Sequence, residues 1–208
     1  MSKDNDNKNN FIKTGFTKLL KPFEDSMSEV EKISKAFGLA LRIYSGMTRK
    51  YQYDKVEPQI NHSLRVALIL NEEMNSNSSD LVCSALLHDI SNKQEISHET
   101  KDYIKQEISE KTFTIVSFFS KYSNSESNNK NEELKIEKQF EKIKQSDNMV
   151  KNIILAERLD ELRSLKNSRR KDKIARTKEE TQKYFIPLAE TTNEKILLKL
   201  VIALYELK

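Results

Sequence analysis

Two of the chain's three histidines are set where a metal site would need them. His62 opens one helical pattern, and His88, followed at once by Asp89, lies near the end of the next. The pair stands in the run Ala85-Leu86-Leu87-His88-Asp89-Ile90, where an acid is costly to bury without a partner. His62 shares a helical face with Val66 and Ile69, and His88 with Leu81 and Ala85, so both rings point inward. Imidazole nitrogens with a carboxylate oxygen make a ligand set suited to Mn, Fe or Zn. A fourth ligand is needed, and Glu157, an acid between Ala156 and Arg158 in an apolar run, is the candidate; Glu161 follows one turn later. Spacing alone leaves a second reading open, in which each histidine is a satisfied core residue. His98, beside Glu99, reads as an exposed residue of a helix cap, and Arg169-Arg170-Lys171 as a solvated helix start.

The elements that must position these residues read as helices throughout. Residues 1 to 10 are nearly all Asn, Lys and Asp and read as disordered. Residues 11 to 24 carry Phe11, Ile12, Phe16, Leu19, Leu20 and Phe23 at helical spacing, cut short by Pro22. That segment reads as packing on the domain or as a contact helix for a second copy or a protein partner, with 11–23 as the contact residues. The main domain is expected over 28–208, after a tail and short amphipathic helix in 1–27. Ser28 with Glu31 has the capping-box pattern of a long helix running to Gly46. A polar stretch, 48–61, follows and shows no strand pattern. Further helices are expected at 62–75, 80–91, 99–121, 133–145, 147–167, 171–189 and 193–207, with a Ser/Asn/Glu loop at 123–133. The fold class is an all-α bundle.

Composition agrees and narrows the setting. Three Gly and three Pro in 208 residues disfavour a turn-rich β fold. The 36 basic residues are interspersed with 32 acidic ones, unlike the concentrated charge of a nucleic-acid binder, so no nucleic-acid partner is expected. No segment reaches the ~18 apolar residues of a membrane span. Cys83, the one cysteine, lies in an apolar run and reads as a buried thiol in a reducing, cytoplasmic setting.

The order of these pieces resembles the hydrolase half of the RelA/SpoT alarmone enzymes, in the HD superfamily, and most closely its small stand-alone hydrolases of the metazoan SpoT-homologue type. Five segments carry the resemblance: Gly46-Met47-Thr48-Arg49-Lys50; Glu57-Pro58-Gln59-Ile60-Asn61-His62; Ala85-Leu86-Leu87-His88-Asp89; Leu155 to Arg163; and Glu180 to Ala189. It spans about residues 28 to 207 and implies an HD-domain helical bundle. By position it implies metal ligands His62, His88, Asp89 and Glu157, the last in place of an aspartate, with Mn²⁺ as the ion. Arg49 and Lys50 would hold nucleotide phosphates, as paired cations do, and Glu161 and Arg163 fall among the substrate-binding positions. The implied reaction is metal-assisted removal of the 3′-pyrophosphate from guanosine tetra- or pentaphosphate.

The chain also departs from the pattern. Where the family carries a Glu-Asp pair after its His-Asp, this sequence has Asn92 and Lys93. Asn92 occupies the place of an acid that orients or deprotonates water, and Glu95 is the nearby carboxylate that could substitute as base. Glu161 replaces an Asn, adding negative charge where a phosphate should bind, and Tyr44 stands where many relatives have His. Loss of a general base costs ~10²–10⁴ in rate. Two functions therefore compete: a metal-dependent nucleotide phosphohydrolase, and a catalytically silent relative that binds nucleotide or protein. A helical scaffold without metal is the third.

Overall fold

The computed structural model describes residues 3–90, 96–123 and 132–207. It is an all-α bundle with one small hairpin, and its centre is α8 (Asn148–Leu165). Ile153, Leu155, Ala156 and Leu159 of that helix are wholly buried. Asp147 caps α8, its carboxylate accepting from the Met149 amide at 2.7 Å. Around α8 pack α3 (Gln59–Leu68), α4 (Ser79–Leu87), α10 (Ile186–Thr192) and α11 (Glu194–Glu206).

The amino-terminal segment belongs to the fold. Helix α1 runs from Lys3 to Leu20, so the segment read as disordered is helical from Lys3 on; it holds no Gly or Pro before Gly15 to stop a helix propagating. Leu19 and Phe23 are buried, and Phe16 stacks on Phe37 of α2 (Met27–Ile43) with centroids 4.1 Å apart. A Cβ on Gly15 would lie 2.9 Å from Leu64, which shows how closely α1 approaches α3. The apolar face of 11–23, expected to pack inward or to meet a partner, is packed inward.

Three expected elements differ. The stretch 48–61 is not strandless: β1 (Thr48–Tyr51) and β2 (Lys55–Pro58) pair antiparallel, with Arg49 opposite Glu57. Tyr53 and Asp54 turn the hairpin with φ of 56° and 57°. Asp54 accepts from Ser168 Oγ (2.8 Å), the Arg169 amide (3.0 Å) and Arg170 Nε (2.7 Å), which ties the turn to the loop after α8. The helix expected at 99–121 breaks at Ser109 into α5 (His98–Tyr103), extended by one wide turn, and α6 (Glu110–Ser123). The Ser109 hydroxyl bonds Asp80 at 2.6 Å and accepts from the Thr112 amide, so its side chain competes with the helical ladder. The helix expected at 171–189 is α9 (Lys171–Glu180), a wide turn at Thr181–Phe185, and α10. The remaining helix, α7, spans Glu132–Lys144. No described helix is long and apolar enough to cross a membrane.

Candidate metal centre

His62 lies in the first turn of α3, which starts after Pro58, whose fixed φ suits a residue entering a helix. His88 is the residue on which α4 ends, and Asp89 follows it. Both rings are 1% exposed, as their spacing required, and their centroids are 5.3 Å apart. One ligand atom from each of His62, His88 and Asp89 falls within 4.8 Å of the others.

Each imidazole has one nitrogen committed to the protein. His88 Nδ1 donates to the Ala85 carbonyl at 2.7 Å, which leaves Nε2 as the lone-pair nitrogen. That Nε2 is buried and has no hydrogen-bond partner among the described residues. His62 Nδ1 meets Asp160 Oδ2 at 2.7 Å, which turns its Nε2 toward Asp89. The two Nε2 atoms approach Asp89 at 3.7 Å and 3.6 Å, too far for hydrogen bonds. Ligand bonds of about 2.0–2.2 Å to one ion put neighbouring donors roughly 3–3.6 Å apart, so the spacing fits a shared cation. Gln59 Nε2 donates to Asp89 Oδ2 at 2.7 Å and holds the carboxylate. The donor set, its orientation and the orphaned nitrogen all fit a divalent ion.

Charge reinforces the cluster. Burial alone would lower the His88 pKa, but the Asp89 and Glu157 carboxylates and the Ala85 carbonyl outweigh it, and the net shift is upward. Burial raises the Glu157 carboxyl, and the negative charges of Asp89 and Glu161 add to this, against the nearby imidazoles. Glu157 thus borders all three members of the cluster without belonging to the tightest group. Burial and the Asp89 charge likewise raise the Tyr44 phenol, which is 3% exposed.

Asp160 is a functional residue the sequence reading missed. It is wholly buried, and its carboxylate joins His62 to Arg65, whose Nε donates to Asp160 Oδ1 at 2.6 Å. The same guanidinium reaches Glu57 on β2 through a two-pronged contact of 2.9 and 2.6 Å, and lies 3.8 Å over the Tyr51 ring. Burial opposes the Asp160 charge, but the His62 hydrogen bond and Arg65 hold the carboxyl well below the usual range. A line of charge, Glu57–Arg65–Asp160, therefore ends on the His62 ring. The available signal was periodicity: Asp160 lies three residues after Glu157 on α8, and Arg65 three after His62 on α3.

The other candidates are placed as follows. Arg49 is half-buried on β1, and its guanidinium makes no ion pair or hydrogen bond to any described residue; its positive charge helps to lower the Glu161 carboxyl and opposes the net upward shift of His88. Lys50 alternates to the exposed face of the same strand. Glu161 pairs with Arg158 at 3.2 Å and Lys173 at 3.1 Å. Arg163 is bound to Glu73 through both nitrogens, at 2.6 and 2.9 Å. Asn92, Lys93 and Glu95 lie outside the described residues.

Buried imidazoles that each keep one nitrogen for a shared ion, set beside a carboxylate where α3 and α4 meet α8, define a class: the helical metal-dependent phosphohydrolases. The chain belongs to the HD domain family, which it matches over residues 36–192. Its fold is similar to that of a metazoan SpoT orthologue described as hydrolysing ppGpp and acting in starvation responses. The two align with a TM-score of 0.65 at 21% identity, over 84% of this chain and 94% of that one. No curated protein sequence matches the chain.

Proposed function

We propose that the chain removes the 3′-pyrophosphate from guanosine tetra- or pentaphosphate, with Mn²⁺ held by His62, His88, Asp89 and Glu157. The observation that carries this reading is the pair of Nε2 atoms aimed at Asp89, one of them buried without a hydrogen-bond partner among the described residues. When bound, such an ion polarises a phosphoryl oxygen and acidifies water. The chain's own residues supply the rest. Asp160 fixes the His62 tautomer, Ala85 fixes that of His88, and Gln59 orients Asp89. Arg49 offers the substrate's phosphates a guanidinium that has no partner among the described residues, with Lys50 at the rim. Glu95 serves as base and Asn92 orients water. The likeness to a ppGpp-hydrolysing SpoT orthologue supports this substrate class.

One observation favours a second reading. Asn92 cannot take a proton at neutral pH and Lys93 carries the wrong sign for that work, so a silent nucleotide-binding relative is the alternative. Metal analysis of the purified protein, with pyrophosphate release from the tetraphosphate in Mn²⁺, separates them. Bound metal with release supports the enzyme. Bound metal and bound nucleotide without release leave the binding protein, and absence of metal overturns both.

A further inference from the structure

Two buried hydroxyl groups stand beside the metal centre without a role in holding the fold. Tyr44 closes α2 and is 3% exposed, and Ser63, directly after His62 in α3, is wholly buried. Neither hydroxyl oxygen completes a hydrogen bond with any described residue. Burying such a group unsatisfied costs free energy, so two together are a feature to account for. Ser63 leaves aside the bond a helical serine commonly makes. Ser34 and Ser84 each donate to the carbonyl four residues back, at 2.7 Å. The Tyr44 backbone is already committed, its amide donating to the Ala40 carbonyl and its carbonyl accepting from the Met47 amide, both at 2.9 Å. Its phenol oxygen is what remains to act.

Both side chains are turned toward Asp89. Gln59, which donates to the Asp89 carboxylate at 2.7 Å, lies one helical turn before Ser63, so the two share the face of α3 that looks at Asp89. The Ser63 hydroxyl and the Asp89 amide both approach the Tyr44 oxygen and act to lower its pKa, without either completing a hydrogen bond. Burial and the Asp89 charge outweigh them, so the phenol keeps its proton at neutral pH. We propose that Tyr44 is a positioning residue of the metal centre: its oxygen accepts from the Asp89 amide, with the Ser63 hydroxyl behind it, once the Asp89 carboxylate is drawn onto an ion. A neutral oxygen fixes that amide without adding negative charge to a centre that already holds Asp89 and Glu157. His62 has Asp160 behind it and His88 has Ala85; Tyr44 gives Asp89 a second support beside Gln59. The inference rests on the metal reading above, and neither on the nucleotide nor on catalysis.

Calorimetric titration of the full chain with Mn²⁺, together with melting of the metal-free protein, tests this. Tyr44→Phe removes the hydroxyl alone. It should weaken Mn²⁺ binding by about tenfold, as loss of a group behind a metal ligand does. The metal-free variant should melt at the parent's temperature or above, because an unsatisfied buried hydroxyl has gone. Ser63→Ala should weaken Mn²⁺ binding by less. Added to Tyr44→Phe it should cost no further affinity, since the serine acts through the phenol. A merely structural tyrosine would lose metal-free stability and leave Mn²⁺ affinity unchanged, and that result overturns the proposal. So does a double variant in which the two losses add in full. A parent chain that binds no Mn²⁺ overturns the metal reading and this inference with it, whereas a parent that binds it as tightly as Tyr44→Phe overturns this inference alone.

Discussion

The two histidines of the metal centre are held in different ways. His88 leans on the carbonyl of Ala85, three residues earlier in its own helix. His62 leans on Asp160, 98 residues away, and through it on Arg65 and Glu57. The first anchor is local and neutral and comes with the helix end. The second is a charged network of Asp160, Arg65 and Glu57 that links α8, α3 and the hairpin. A local anchor survives most distant changes, whereas a charged one makes the ring's position conditional on the whole bundle. The metal centre therefore joins a self-sufficient half to one that the tertiary fold maintains.

The largest test of that contrast is Asp160→Ala. It leaves the buried His62 Nδ1 without its partner and Arg65 with Glu57 alone, and should cost about 3 kcal/mol, read as a lower urea midpoint. Asp160→Asn keeps an acceptor for His62 but removes the charge, and should weaken metal affinity about 10–100-fold. If both variants melted and bound metal like the parent, the His62 side would be no more dependent on the fold than the His88 side. Replacing His88 by Gln should abolish the stabilisation expected from the proposed Mn²⁺, about 2.7 kcal/mol at a hundredfold excess over Kd. Its Ala85 anchor being neutral, little apo stability should go with it, and a melt with and without metal shows whether that separation holds.

Arg49→Ala is the intermediate case. With no partner to strand among the described residues, it should change stability by no more than about 0.5 kcal/mol. Binding of the guanosine tetraphosphate should weaken by about 1.5–3 kcal/mol, measured by calorimetry, with exposed Lys50→Ala costing less. An equal loss from both would place the phosphates outside the half-buried face of β1.

The smallest effect concerns the hairpin that carries Glu57. The Arg169 amide, first, and Ser168 with Arg170 lower the Asp54 pKa to about 2, against the 3.8 of a free side chain. A carboxyl depressed by folding stabilises fully above its unfolded pKa and loses that contribution as pH falls toward its folded one. The protein should thus lose a small increment of stability between about pH 4 and pH 2, and Asp54→Asn should remove that part of the acid dependence. An unchanged acid limb in the variant would mean that the turn is held by its backbone alone.

Legibility followed the range of the interactions. The helical class, the inward rings of His62 and His88, and the adjacent Asp89 were all readable, because burial repeats with the helical period. The hairpin at 48–58 was not. Its residues are mostly polar and it buries neither face fully, so the apolar–polar alternation that marks a strand is missing from its sequence, although burial does alternate along β1. The break at Ser109 depended on Asp80, a partner 29 residues away. Asp160 was passed over for Glu157, three residues before it, because both acids interrupt one apolar run, and only the position of α3 decides which carboxylate reaches His62.

The sequence by itself determined the bundle, its helical faces and the donor types at the metal centre, since each is set by residues within a turn or two of one another. Only the tertiary structure decided which nitrogen of each imidazole faces Asp89 and which acid stands behind His62. It alone decided that, among the described residues, Arg49 has no partner while Arg163 is taken by Glu73, and that α11 leaves an apolar face uncovered. Those outcomes depend on which distant polar groups meet in a buried space, where an unpaired charge is costly and a paired one is fixed in place.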